Sequence, residues 1–157
     1  MGVRNLRYLT KILMITVCLV ALSGIAAACD SCVECKTLGY WKAPCLWPVE
    51  SIHIGGITYT KYQAIDIICH PVRYDKTYAM FNALVTAKLN VKSGCCPSSE
   101  VEDAIWGADR WLEVYKLGSG VTVSSDAWKK EFVYCSRDTY PSGEDMFKKL
   151  DAFNNGY

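Results

Sequence analysis

The sequence predicts a mainly α fold, a small disulfide-stapled helical domain of about five helices with one β-hairpin. Three observations lead there: apolar residues recur every three or four positions in several segments, capping residues head those segments, and Gly55-Gly56 joins two β-prone tetrads. With 157 residues, 51% of them hydrophobic and 21% charged, the chain has material for one domain with its own core.

Ser51-Ile52-His53-Ile54 and Ile57-Thr58-Tyr59-Thr60 are the tetrads, and the two glycines supply the positive φ of a primed hairpin turn. Thr60 and Gln63 have capping-box spacing, and Ala64, Ile65, Ile68 and Cys69 continue an apolar stripe that should stop near His70, before Pro71. From Asp75 to about Lys92 the spacing of Tyr78, Phe81, Leu84, Val85, Lys88 and Leu89 predicts the longest helix, with Gly94 as its stop. A helix opening at Pro97-Ser98-Ser99, with Ser99 and Glu102 as a capping box, should run to Gly118 with Val101, Ala104, Ile105, Ala108, Leu112 and Tyr115 on one face. Its charged residues Glu102, Asp103, Asp109, Arg110 and Glu113 read as a solvated surface. Ser125-Asp126 starts a weaker helix through Cys135, and Ser142 to Asp145 caps a last one in which Met146, Phe147, Leu150 and Phe153 are spaced for burial. No linker or internal repeat divides this array, so residues 29–157 are expected as one secreted, cysteine-rich helical domain.

Residues 1–28 read as a signal peptide. Arg4, Arg7 and Lys11 precede an uncharged run from Ile12 to Ala28 that closes on Ala26-Ala27-Ala28. That run of 17 residues is at the short limit for crossing a hydrocarbon core of about 30 Å, and its small-residue end favours cleavage over an uncleaved anchor. Cleavage leaves 14 Lys and Arg against 16 Asp and Glu, a net charge of −2, where the whole chain carries +1. Neither value fits a nucleic-acid binder, and no nucleic-acid partner is expected. Cys29 at the new amino terminus resembles a lipoprotein box and would be the lipidation point, although Ala26 stands where that motif prefers Leu. Plain secretion and lipidation both place the domain outside the cytoplasm, and membrane contact is expected only through the signal or a lipid on Cys29.

Cys18 leaves with the signal. Cys29, Cys32, Cys35, Cys45, Cys69, Cys95, Cys96 and Cys135 remain as disulfide candidates, an even number whose pairing spacing cannot decide. Cys29-x-x-Cys32-x-x-Cys35 admits three readings. A metal site lacks a fourth cysteine at cluster spacing, since Cys45 lies ten positions on, and a redox centre lacks the strand that normally precedes it. Structural bridges are the reading preferred, and no metal ligand or cofactor is assigned.

The only imidazoles are His53 and His70. A Cys69-His70 nucleophilic pair would need both side chains within hydrogen-bond reach, and a histidine at a helix C-terminus is better explained by the terminal carbonyls. The chain has no Gly-x-Ser-x-Gly elbow, Walker loop or His-Glu-x-x-His motif, and no catalytic residue is assigned. Tyr40, Trp41, Trp47, Tyr59 and Tyr62 offer an aromatic surface for glycan or protein contact or, equally, a lid on the core, where most of the five Trp and ten Tyr are expected. Trp106 and Trp111 lie off the apolar stripe of their helix and are the better contact candidates.

Cys35-Lys36-Thr37-Leu38-Gly39-Tyr40-Trp41-Lys42, Trp47-Pro48-Val49, Gly55 to Thr60, Pro71-Val72-Arg73 and Ala87-Lys88-Leu89-Asn90 occur in that order. Together they resemble a recurrent domain of exported bacterial and archaeal proteins that opens with Gly-Tyr/Phe-Trp-Lys and continues with Gly-Gly-x-Thr-Tyr-Thr and Ala-Lys-Leu-Asn. Leu150 to Gly156 resembles its closing segment. The resemblance implies an extracellular or cell-surface module, with no established activity and no catalytic residues to carry over. Members often place His-Pro shortly after the opening motif; this chain has Ala43-Pro44-Cys45, which puts a histidine-dependent metal role in doubt and points to an added bridge at Cys45.

The functional expectation is a secreted or cell-surface, non-enzymatic module, structural or binding, that contacts protein or glycan of the cell envelope or extracellular space. The rival expectation is an extracytoplasmic thiol-disulfide oxidoreductase or metal carrier using Cys29, Cys32 and Cys35.

Overall fold

The computed structural model describes residues 32–70, 74–135 and 138–157. The predicted signal segment, Cys29 with its lipidation and bridge, and Pro71-Val72-Arg73 lie outside the described residues.

Two short 3-10 turns, Tyr40–Lys42 and Pro44–Leu46, lead into β1 (Ser51–Ile54) and β2 (Ile57–Thr60). Then come α1 (Lys61–Cys69), α2 (Lys76–Lys92), α3 (Ser99–Val114), the single turn α4 (Asp126–Lys129), β3 (Phe132–Tyr134), β4 (Asp138–Tyr140) and α5 (Gly143–Asn154). The fold is mainly helical, as predicted. Strands β1 and β2 pair antiparallel with Ile54 opposite Ile57, and Gly55 and Gly56 take φ of +57° and +78°, the conformation for which a Gly-Gly loop is suited.

The caps come largely from the predicted residues. Thr60 accepts from the Gln63 amide while the Gln63 side chain accepts from the Thr60 amide, completing the capping box of α1, and His70 caps its end. Asp75 caps α2 through the Thr77 amide, and Ser142 caps α5 through the Asp145 amide. At α3 the N-cap is Ser98 rather than Ser99, because the helix begins one residue earlier than expected and it is Ser98 that accepts from the Val101 amide.

Helix α2 is the centre of the core. Met80, Phe81, Ala83, Leu84, Val85, Thr86, Ala87, Leu89 and Asn90 are all buried along it, so the helix is covered nearly all round by α1, β1, α3 and α5. Each large side chain buried this way contributes about 1.5–3 kcal/mol. On α3 the buried positions are Ala104, Gly107, Ala108, Trp111 and Leu112, a stripe with i, i+3, i+4, i+7, i+8 spacing. Gly107 belongs to that stripe through its lack of a side chain: a Cβ there would lie 2.5 Å from Met146 Sδ and 3.2 Å from the Tyr140 ring. The missing methyl lets α5 and β4 close onto α3.

The helix expected from Ser125 through Cys135 is corrected. Only one turn forms, and Phe132–Tyr134 pairs antiparallel with Asp138–Tyr140 as a second hairpin. Phe132, Val133 and Tyr134 are β-prone residues, and Phe132 packs against Tyr115 and Tyr140 at centroid distances of 6.4 and 5.2 Å, a tertiary contact a continued helix would not make.

Two disulfides, Cys32–Cys96 and Cys35–Cys95, span Cα separations of 5.4 and 5.3 Å. They fasten the segment before the first turn to the segment after α2, where the Val33 amide also donates to the Gly94 carbonyl at 3.1 Å. Of the eight disulfide candidates, Cys45, Cys69 and Cys135 are free, exposed thiols on a 3-10 turn, at the end of α1 and in the turn after β3, so the added bridge expected at Cys45 is corrected. Among the described residues no helix is long and apolar enough to cross a membrane.

Candidate functional site

Residues far apart in the sequence meet inside the molecule. Asn90, on the buried side of α2, accepts from the Lys36 amide at 2.8 Å and from the Trp41 indole at 3.1 Å through Oδ1. Its Nδ2 donates to the Lys36 carbonyl at 2.9 Å and to Asn154 Oδ1 at 3.2 Å. Asn154 in turn donates to the Ala83 carbonyl at 2.9 Å, and the Trp47 indole donates to the Trp41 carbonyl at 2.6 Å. One carboxamide thus ties Lys36 and Trp41, helix α2 and Asn154 of α5 into a satisfied buried network. A second polar knot lies under the first hairpin: Lys88 donates to the His53 carbonyl at 2.8 Å and pairs with Asp109, which accepts from the Gly55 amide at 3.0 Å. A Cβ on Gly55 would stand 2.8 Å from Leu112 Cβ, so the turn must be glycine to sit on α3.

These contacts correct part of the proposed contact surface. Trp41 and Trp47 are buried by the network just described, and Trp111 is buried because it lies on the true stripe of α3, donating to the Ala127 carbonyl at 2.8 Å against Trp128. Tyr40 is exposed, edge-on to Trp41. Trp106 is the large exception at 62% exposed, on the side of α3 away from the core.

Trp106 stands at a groove of about 420 Å³ between α3, β4 and the start of α5. Ala104, Met146, Pro141 and the Tyr140 ring give it apolar surface, and Glu100, Asp103, Thr139 and Lys149 give it polar groups. A cation lies against the indole. Arg110 lies 5.4 Å from the Trp106 ring and 5.1 Å from the Tyr134 ring, held between the two by a 2.6 Å ion pair to Glu113. Glu113 also accepts from the Tyr134 hydroxyl, and that hydrogen bond, with burial second, pushes the Tyr134 phenol above its ordinary pKa. Asp109, Arg110 and Glu113, read from sequence as a solvated face, are therefore half-buried members of two supporting networks.

A second groove, of about 350 Å³, lies between α2 and α5 beside Leu38 and Phe147, and the Asn82 side-chain oxygen next to it is buried without a hydrogen-bond partner.

Among the described residues the nucleophile and metal readings find no assembled site. Cys32 and Cys35, two of the three cysteines of the rival reading, are joined to Cys96 and Cys95; Cys29 lies outside the described residues. His70 Nδ1 lies 2.6 Å from the Asp66 carbonyl, the helix-end contact expected, and His53 is hydrogen-bonded to Thr58 at 3.1 Å. Among the described residues no three His, Cys, Asp or Glu side chains converge to hold a cation. Comparison with known protein families, with curated proteins and with solved structures finds no match.

Proposed function

We propose that the chain is a secreted or surface-attached, non-enzymatic binding module that meets a partner of the cell envelope or extracellular space through the groove at Trp106. The observation that carries this is the one indole left in solvent, mounted on a buttress of Arg110, Tyr134 and Glu113, while the other four Trp are buried. Exposed, pre-oriented aromatic rings gain contact area at little entropic cost. Placement outside the cytoplasm is supported by the signal-like amino terminus and by two disulfides, which persist where thiols oxidise. The resemblance to a domain of exported prokaryotic proteins supports the same placement.

Sedimentation with the envelope fraction of the producing cells tests the proposal. The mature protein is expected in the pellet, and Trp106→Ala is expected to be retained at least tenfold less with an unchanged circular dichroism spectrum. Equal retention of the two proteins refutes it.

A further inference from the structure

We infer that the Trp106 groove takes an uncharged saccharide of one or two rings; this rests on the reading of the groove as the contact site. Its volume of about 420 Å³ falls within the range of about 300–1,000 Å³ usual for small-ligand sites. The charges decide among ligand classes. Glu100 and Asp103 from α3 and Lys149 from α5 line the groove with charges of both signs, so no fully ionic ligand finds a wall of one opposite sign.

A cation faces a further obstacle. The Trp106 ring already has the Arg110 guanidinium 5.4 Å from its centroid, which weakens its pull on a second cation. Sugar hydroxyls both donate and accept, and they suit a rim that offers carboxylates, a threonine hydroxyl and an ammonium together. The C–H face of a pyranose ring is apolar and flat enough to lie on Trp106 with Tyr140, Pro141 and Met146 beside it. The groove is built for a ligand with an apolar face and a polar edge, and a neutral sugar has that form.

The test uses the mature exported chain with cellobiose, chitobiose and mannobiose as neutral probes, and choline and glucuronate as charged ones. Because Trp106 is the one exposed indole, intrinsic fluorescence reports on this groove, and calorimetry follows the variants in which the indole is gone. Saturable binding of at least one disaccharide is expected, unchanged by added salt, weakened at least tenfold in Trp106→Ala and severalfold in Glu100→Gln/Asp103→Asn. Saturation by choline or glucuronate with strong salt dependence, or no saturation by any disaccharide, overturns the inference.

Envelope sedimentation separates this failure from that of the broader reading. Retention that depends on Trp106 but is abolished by protease treatment of the envelope, with no disaccharide bound, leaves the contact site standing and replaces the sugar by a protein. Retention independent of Trp106 removes both.

Discussion

Trp41 and Trp106 are the same side chain in opposite settings. Trp41 is buried beside the disulfides with its indole N–H on Asn90, and its neighbours are the backbone of Lys36, the closing asparagine and the Trp47 indole. Trp106 has its ring in solvent, and Arg110 lies between it and the Tyr134 ring, 5.4 and 5.1 Å from the two centroids. The first region is over-determined, with covalent bridges and buried hydrogen bonds holding the same few residues. The second is supported on one side and open on the other. The bridges and the buried hydrogen-bond network make the frame, and Trp106, the proposed contact residue, takes no part in them.

The largest expected effect comes from the stapled side. The two bridges have sequence separations of 64 and 60 and join the same two segments, so once one is closed the other adds only a small ring. In the chain-entropy treatment, losing either bridge alone costs about 2 kcal/mol and losing both about 6 kcal/mol. Urea unfolding of Cys32→Ser, Cys35→Ser and the double variant is expected to show this non-additivity. Additive, equal losses would show that the bridges act independently.

Next is Asn90→Leu. It leaves the Lys36 amide and the Trp41 indole without an acceptor and the Lys36 carbonyl and Asn154 Oδ1 without a donor, and is expected to cost about 4 kcal/mol. The same urea experiment reads it. A loss under about 1 kcal/mol, the net worth of one ordinary hydrogen bond, would show that the network is not the frame. Gly55→Ala follows at about 2 kcal/mol, because a methyl at φ +57° meets Leu112 on α3. Thermal unfolding should register it as a clear drop, whereas Gly56→Ala, also at positive φ, meets the Glu113 side chain at 3.3 Å rather than helix backbone and should fall less.

Legibility in the sequence follows the same division. The first hairpin, the capping box at Thr60 and the long helix were readable because their determinants are local: a Gly-Gly turn, a four-residue cap, a 3.6-residue period. The second hairpin was not, since Phe132 is committed to a strand by Tyr115 and Tyr140, which are distant in sequence or across the turn. The stripe of α3 was misdrawn because Gly107 counts as a core position only when Met146 and Tyr140 are known to press on it. That displacement assigned Trp111 to the surface, while Trp106, opposite either version of the stripe, was placed correctly. The cysteines show the limit of spacing arguments: their even count agreed with full pairing, yet Cys45, Cys69 and Cys135 stand on separate elements.

The smallest expected effect on stability is that of Trp106→Ala, and it bears most directly on the claim that Trp106 is placed for contact and the buried network for the fold. Urea unfolding followed by circular dichroism should give this variant a stability within about 0.5 kcal/mol of the parent protein, as for a surface position outside the core. A loss of several kcal/mol, comparable to that of Asn90→Leu, would make Trp106 part of the frame and contradict the account.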